Sequence, residues 1–180
     1  LRTVTFPEGL TRWEMAEVFG RSEFGVAEEF LAASERADLV EDLDPDATDL
    51  EGYLFPETYA LPRGATADDL VEAMLAQFRR TFDDALLAQA AEQEMTVRQV
   101  VTLASLIQRE TGRDDERPIV SAVYTNRLHR RMPLQCDPTV IYALQLDGLY
   151  DGNLTRDNLR YDSPYNTYVY PGLPPIGARP

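Results

Sequence analysis

Apolar residues recur at two different periods along this chain, and the changes of period mark its elements. Val4 and Phe6 alternate with polar neighbours ahead of a Pro7 to Gly9 turn, which predicts a short strand. A helix is expected from Thr11, where Thr11 and Glu14 have the spacing of a capping box. Phe24 to about Ser34 is a second amphipathic stretch, and the acidic run from Glu35 to Asp49 reads as a surface connection. Residues 1 to about 60 thus form a small α/β unit. From a cap at Thr66, residues Leu70, Met74, Leu75, Phe78 and Phe82 follow helical spacing, predicting one long helix that ends near Glu94 and packs this stripe in the core.

Thr96 and Gln99 repeat the capping-box pattern before VRQVVTLASLIQRETG, a helix that Gly112 can terminate as a C-cap residue. At 100° per residue Arg98, Thr102, Ser105 and Arg109 share a polar stripe, while Val97, Val100, Val101, Leu103, Ala104, Leu106 and Ile107 fill a wide apolar arc. Glu110 points about 20° from Leu103 and about 40° from Leu106, so it ends the apolar face. Two readings of it stand side by side. A partly desolvated carboxyl there would be kept protonated as a general acid, whereas a last-turn Glu can simply snorkel to water. Beyond Gly112, Pro118 suits the first turn of a helix that buries Ile119, Val120, Val123, Tyr124 and Leu128. Asp137 followed by Pro138 is a cap and first turn for a helix through Val140, Ile141, Tyr142 and Leu144. The segment SPYNTYVYPGLPP is too rich in Pro and Gly for a helix and reads as extended chain and turns.

Composition narrows the chemistry. With 44% apolar and 27% charged residues the chain is globular in balance, and its net charge of -14 repels phosphate backbones, which argues against a nucleic-acid partner. One Cys (Cys136) and one His (His129) exclude an intramolecular disulfide, a Cys-rich zinc site and a His-based metal cluster, and neither a metal nor a cofactor is expected. His129 lies in LHRRM on a solvated face, a poor setting for a nucleophile's base. No GxGxxG or GxxxxGK[ST] occurs, and no apolar run approaches the roughly 20 residues of a membrane span. Carboxylate, tyrosine and amide chemistry remains. A start at Leu1 and an end in PGLPPIGARP suggest a piece of a longer protein.

Four separated segments together resemble the MltG/YceG-like endolytic murein lytic transglycosylases: EGYLFPETY (Glu51 to Tyr59), LASLIQRETG (Leu103 to Gly112), LQCDPTVIYAL (Leu134 to Leu144) and SPYNTYVYPGLPP (Ser163 to Pro175). VYTNRLHRRMPLQ between them follows the same habit, and residues 1 to 50 are the least distinctive part. The resemblance implies an α+β fold, with a small LysM-like α/β subdomain at 1–60 and a mainly helical, lysozyme-like catalytic subdomain at 61–180 carrying extended or β segments near its C-terminal end. It also implies cleavage of the β-1,4 bond between N-acetylmuramic acid and N-acetylglucosamine in peptidoglycan strands, leaving 1,6-anhydro ends. The family's acid corresponds to the Glu of the RET triplet, Glu110. Where the family commonly carries Glu, this chain has Gln108, which lies on the side of Val97, Val101 and Ala104 where an amide costs less to bury.

For holding the sugar, Tyr165, Asn166, Thr167 and Tyr168 offer amide, hydroxyl and ring contacts, with Gln135, Thr139 and Tyr142 as second choices. Asp137 is either a helix N-cap or a substrate contact, and Asn126 either a substrate contact or an internal hydrogen-bonding group. Glu51 and Glu57 are read as supports of the cleft, with lining it as the lesser alternative for either. The resemblance further implies a place on the outer face of the bacterial cytoplasmic membrane, through a single N-terminal anchor that this chain does not contain, beside peptidoglycan synthases. Two rival readings share the same groove: a non-catalytic strand-binding or scaffold module, and a hydrolytic muramidase with a second carboxylate and a placed water.

Overall fold

A computed structural model of the chain describes residues 1–175. Its elements are β1 (Arg2–Thr5), α1 (Arg12–Gly20), α2 (Ala27–Ala33), β2 (Thr58–Leu61), α3 (Ala67–Thr81), α4 (Asp84–Glu92), α5 (Val97–Glu110), α6 (Arg117–His129) and α7 (Asp137–Leu146), with 3-10 turns at Ala37–Val40 and Asn158–Arg160. Among the described residues this is an α+β chain of seven helices and one two-stranded sheet. They form two compact units, residues 1–98 and 99–175. The division at residue 60 read from the sequence falls inside the first unit, where α3 packs on α2. No helix among the described residues is long and apolar enough to cross a membrane.

In the first unit, β1 and β2 pair antiparallel with Val4 opposite Tyr59. Their inward residues meet an aromatic cluster from the helices: Phe6 stacks on Phe30 at 5.9 Å between ring centres, and Phe19 lies 5.5 Å from Phe30. α1 begins as its capping box requires, with the Thr11 N–H donating to Glu14 Oε2 (2.7 Å) and the Glu14 N–H donating to Thr11 Oγ1 (3.3 Å). α2 starts at Ala27, three residues later than expected, because the Val26 N–H is taken by the Glu29 carboxylate at 3.1 Å and the turn is fixed there. The single helix expected from Thr66 to Glu94 is two. Phe82 leaves helical geometry at ψ 69, and Asp83 caps α4 by accepting the Leu86 N–H at 3.0 Å, while Phe82 still stacks on Phe78.

The acidic stretch from Glu35 to Asp49 is more than a surface connection. Val40 and Asp44 are buried, and Asp44 receives two bonds from the Arg98 guanidinium (2.8 and 2.7 Å) and one from the Tyr53 hydroxyl (2.6 Å). Burial alone would raise the Asp44 pKa, but these donors outweigh it and hold the carboxyl below its usual range. Nearby, the backbone N–H of buried Arg12 donates to Glu51 (3.1 Å), and the Glu51 N–H donates to Asp49 (2.9 Å).

The second unit differs from expectation at three helix ends. α5 stops at Glu110 without a left-handed Gly112, because buried Thr111 turns the chain: its hydroxyl accepts the Arg113 N–H (3.1 Å) and donates to Glu116 (2.8 Å). α6 buries a narrower stripe than predicted, with Tyr124 inside, Val120 and Leu128 half-buried, and Ile119 (66% exposed) and Val123 (44%) facing water. α7 is capped at Cys136, so Asp137 occupies its first turn instead of its N-cap. After α7 the described chain is extended segments and turns with no strand; residues 176–180, the end of the expected proline-rich tail, lie outside the described residues.

Burial first, then the charges of Asp49 and Glu14, push the Glu51 carboxyl up to about 7, against the opposing Arg12 N–H and guanidinium. A carboxyl raised in the folded state binds more protons folded than unfolded, so its stabilisation is complete below the unfolded value and is lost as pH rises through about 7. Glu51→Gln keeps the acceptor and removes the charge. We expect it to raise stability at pH 8 by up to about 3 kcal/mol and to change little at pH 4.5. Urea unfolding of both proteins at the two pH values measures this difference, and an equal effect at both would contradict the assignment.

Candidate active site

The site lies wholly within the second unit and is organised around the end of α5. Leu106, Tyr124, Leu134 and Cys136 form its buried cluster, with Leu103, Ile107, Val120, Leu128 and Leu173 packed against them. The face of α5 that packs is narrower than its wheel predicted: Leu106 and also Thr102 are buried, whereas Ala104 is exposed. Glu110 stands one turn beyond Leu106, at the rim of this cluster, and is exposed. Its environment is therefore not the desolvated pocket that one of the two sequence readings required.

What holds Glu110 is polar. The Tyr124 hydroxyl, on a side chain only 4% exposed, donates to Glu110 Oε2 at 3.0 Å. The Cys136 thiol lies 3.8 Å from the same oxygen, within reach of a weak S–H bond. Burial raises both of these groups, the phenol beyond any physiological range and the thiol to about 11, so both are donors at neutral pH. Oε1 accepts no hydrogen bond from the described residues. One oxygen of the carboxyl is thus tethered and the other is open to solvent.

Cys136 is held in turn by the chain that follows α7. Its N–H donates to Thr167 Oγ1 (3.0 Å), the preceding Gln135 N–H donates to the Thr167 carbonyl (3.1 Å), and the Thr139 hydroxyl lies 2.9 Å from that of Thr167 and donates to the Cys136 carbonyl (2.7 Å). An Arg127 guanidinium N–H donates to the Leu134 carbonyl. These bonds keep Gln135 at φ 54, a left-handed conformation that costs a non-glycine residue about 1 kcal/mol and turns its exposed side chain outward.

The sequence-predicted contacts separate into two groups. Asn166 is fully buried: its amide donates to the carbonyls of Leu159 (3.1 Å) and Tyr161 (2.7 Å), and its Oδ1 accepts the Tyr168 N–H (2.9 Å). Thr139 and Thr167 are buried and bonded to each other, and Tyr165 is buried edge-on against half-buried Tyr142 with ring centres 5.1 Å apart. Asn166, Thr139 and Thr167 build the wall, with their polar groups directed at the protein, and the Tyr165 ring packs into it against Tyr142. Gln135, Asp137 and Asn126 are exposed, and Tyr168 is half-buried. The Tyr168 hydroxyl donates to Asp137 at 2.6 Å, and that bond, with burial and the nearby Glu110 charge, pushes Tyr168 up to about 12. Asp137, Tyr168 and Glu110 are therefore neighbours. Glu51 belongs to the first unit, and Glu57 is exposed there on the edge of β2.

Tyr124 and Cys136 were missed as partners of the acid. Tyr124 falls in an apolar stripe of the sequence, yet a phenol in such a stripe must find a hydrogen-bond partner when buried, and that requirement is the available signal.

The profile of the YceG-like family matches residues 1–177. The endolytic murein transglycosylase of Bacillus subtilis (strain 168) is 38% identical over 127 residues, 70% of this chain and 34% of its own length. That of Streptococcus pneumoniae serotype 2 (strain D39) is 32% identical over an alignment taking in 97% of this chain and 36% of its length. The chain thus spans about a third of the length of the curated relatives it matches. A crystal structure of a YceG-like protein from Listeria monocytogenes superposes with a TM-score of 0.81 at 28% identity, covering 97% of this chain and 61% of that one. Sequence and fold agree over nearly every described residue, and the chain belongs to the YceG-like family.

Proposed function

We propose that this chain is the catalytic part of an endolytic peptidoglycan lytic transglycosylase, with Glu110 as its single acid/base. The observation that carries the reading is the asymmetric carboxyl at the end of α5, with Oε2 held by Tyr124 and Oε1 open. The named relatives support the reaction class. In the first half-step protonated Glu110 gives its proton to the glycosidic oxygen, the bond from that oxygen to the muramyl C1 breaks, and positive charge develops on the ring. In the second, the carboxylate takes the proton of the same sugar's C6 hydroxyl as O6 bonds to C1, closing the 1,6-anhydro ring and regenerating the acid. No water is consumed, and one carboxyl serves both half-steps.

Because Glu110 is exposed, the bound strand itself must exclude water from it. Gln135, Asp137 and Tyr168 are the proposed contacts, with Asn126 as an outer one, while Asn166, Thr139, Thr167, Tyr165 and Tyr142 hold them in place. The strand–helix–helix–strand order of β1, α1, α2 and β2 supports reading the first 60 residues as a LysM-like subdomain, and the helices that follow as the lysozyme-like part. The whole protein is proposed to act outside the cytoplasmic membrane from an N-terminal anchor, near peptidoglycan synthases. A second reading, a strand-binding module without turnover, is favoured by the same exposure of Glu110.

Mass spectrometry of purified peptidoglycan strands separates these readings. Internal fragments with 1,6-anhydro ends are expected from the unmutated protein, and Glu110→Gln should lower their yield by at least about 10²–10⁴-fold while strand binding persists. Free reducing ends would indicate a muramidase. Binding without cleavage by either protein would establish the binding module. Gln108→Glu should leave cleavage intact.

The division between contacts and wall gives a second test. Gln135→Ala should weaken strand binding with an unchanged melting temperature. Asn166→Ala removes three hydrogen bonds of a fully buried side chain and should cost about 2–4 kcal/mol of stability. Thermal melts and strand-binding titrations of both variants check the contrast; the reverse pattern would exchange their roles.

A further inference from the structure

We propose that Tyr124 is a positioning residue for the acid: by taking Glu110 Oε2, it confines the transferable proton to Oε1 and stabilises the carboxylate as that proton leaves. The inference rests on the reading of Glu110 as the acid/base. Three observations converge on it. Tyr124 is 4% exposed and enters the site from α6, so its hydroxyl has little freedom to reorient. Its bond to Oε2 is 3.0 Å, and the Cys136 thiol approaches the same oxygen from the start of α7. Thr167 holds the Cys136 N–H at 3.0 Å, so the second donor is also anchored.

The chemical consequence follows from which protonation state these donors prefer. In the acid form Oε2 is the carbonyl oxygen that accepts the Tyr124 hydroxyl, and Oε1 carries the proton. When Oε1 passes that proton to the glycosidic oxygen, Oε2 gains negative charge and the Tyr124 bond becomes charge-assisted, roughly twice as strong as a neutral one. The gain develops during the step itself, so it acts on kcat more than on KM. A tyrosine that merely filled the core would contribute to folding alone.

Glu110 meets Tyr124 from α6 and Cys136 from the start of α7, and its charge is felt by Tyr168 of the following chain, which is bonded to Asp137. Cys136, raised to about 11, and Tyr168, raised to about 12, stay protonated through the assay range, and Asp137 keeps its Tyr168 bond in the variants considered. Cys136 and Tyr168 therefore add no limb of their own in that range.

The test is the pH profile of strand cleavage by the full-length protein as unmutated enzyme, Tyr124→Phe, Cys136→Ala and Glu110→Gln, each checked for folding by its melting curve. Tyr124→Phe removes a donor to the charged form. Its kcat should fall about 10- to 100-fold with KM changed less than about threefold, and its alkaline limb should move to higher pH. Cys136→Ala removes the second, weaker donor to the same oxygen and should move the limb to higher pH by less than Tyr124→Phe does. Limbs that stay in place in folded variants would overturn the proposal. If Tyr124→Phe does not fold, the direction of the Cys136→Ala limb decides. Activity retained by Glu110→Gln would instead sink the parent reading. An inactive Glu110→Gln beside a fully active Tyr124→Phe would remove this inference alone.

Discussion

The geometry of the site depends on one seam, the bonding of Thr167 to the backbone at Gln135 and Cys136. It joins positions 31 residues apart, and three properties of the site pass through it. It aims the Cys136 thiol at Glu110, holds Gln135 in a left-handed conformation, and sets Tyr168 beside Asp137. Thr139 completes the seam, so five backbone or hydroxyl donors are satisfied around the buried Cys136, Thr139 and Thr167. Partial satisfaction there would be costly, because a buried donor left without a partner forfeits about 1–3 kcal/mol. The segments around it therefore form as a set.

The first unit solves a different problem. A chain of net charge -14 must keep its carboxylates apart or pair them, and two of its arginines are placed inside for that purpose. Arg98 neutralises Asp44 with a two-pronged bond that Tyr53 reinforces. Arg12, 5% exposed, bonds Ser34 at 3.2 Å and lies within 4 Å of Asp49 and Glu35. Pairing is less complete at Glu51, where burial leaves a carboxyl that titrates near neutrality. The same physical effect that a catalytic acid exploits appears here in a setting with no reaction assigned to it.

For the proposed reaction, the exposure of Glu110 places a demand on the substrate. General acid–base assistance is worth roughly 10²–10⁴-fold, and the remainder must come from orientation and from charges aimed at the developing cation. An acid that protrudes at the end of a helix, held by one oxygen, is suited to a long polymer that arrives from the side and covers it. A closed pocket would exclude water in advance but could not admit the middle of a strand.

Local pattern alone determined where most elements begin. The Thr11 and Thr66 capping boxes, the Pro118 first turn, the β1 strand and the α3 stripe through Phe78 are all written in neighbouring residues and occur where that spacing puts them. For the candidate acid the sequence offered the RET triplet and a place at the end of an apolar helix face, and Glu110 as the acid is the proposal made from them. What the sequence could not decide was which polar groups face each other across long separations. Nothing in the spacing of Asn166, Thr167 or Thr139 distinguishes a sugar contact from an internal bond, and tertiary packing turned all three inward. Asp83 broke a continuous helical pattern because its cap competes with one more turn of helix, a balance of about 1 kcal/mol that periodicity does not weigh. The environment of Glu110 was settled the same way. Its direction on the helix was local, but its exposure and its tether to Tyr124 depend on where α6 and the Cys136 segment pack, and that is a property of the folded chain.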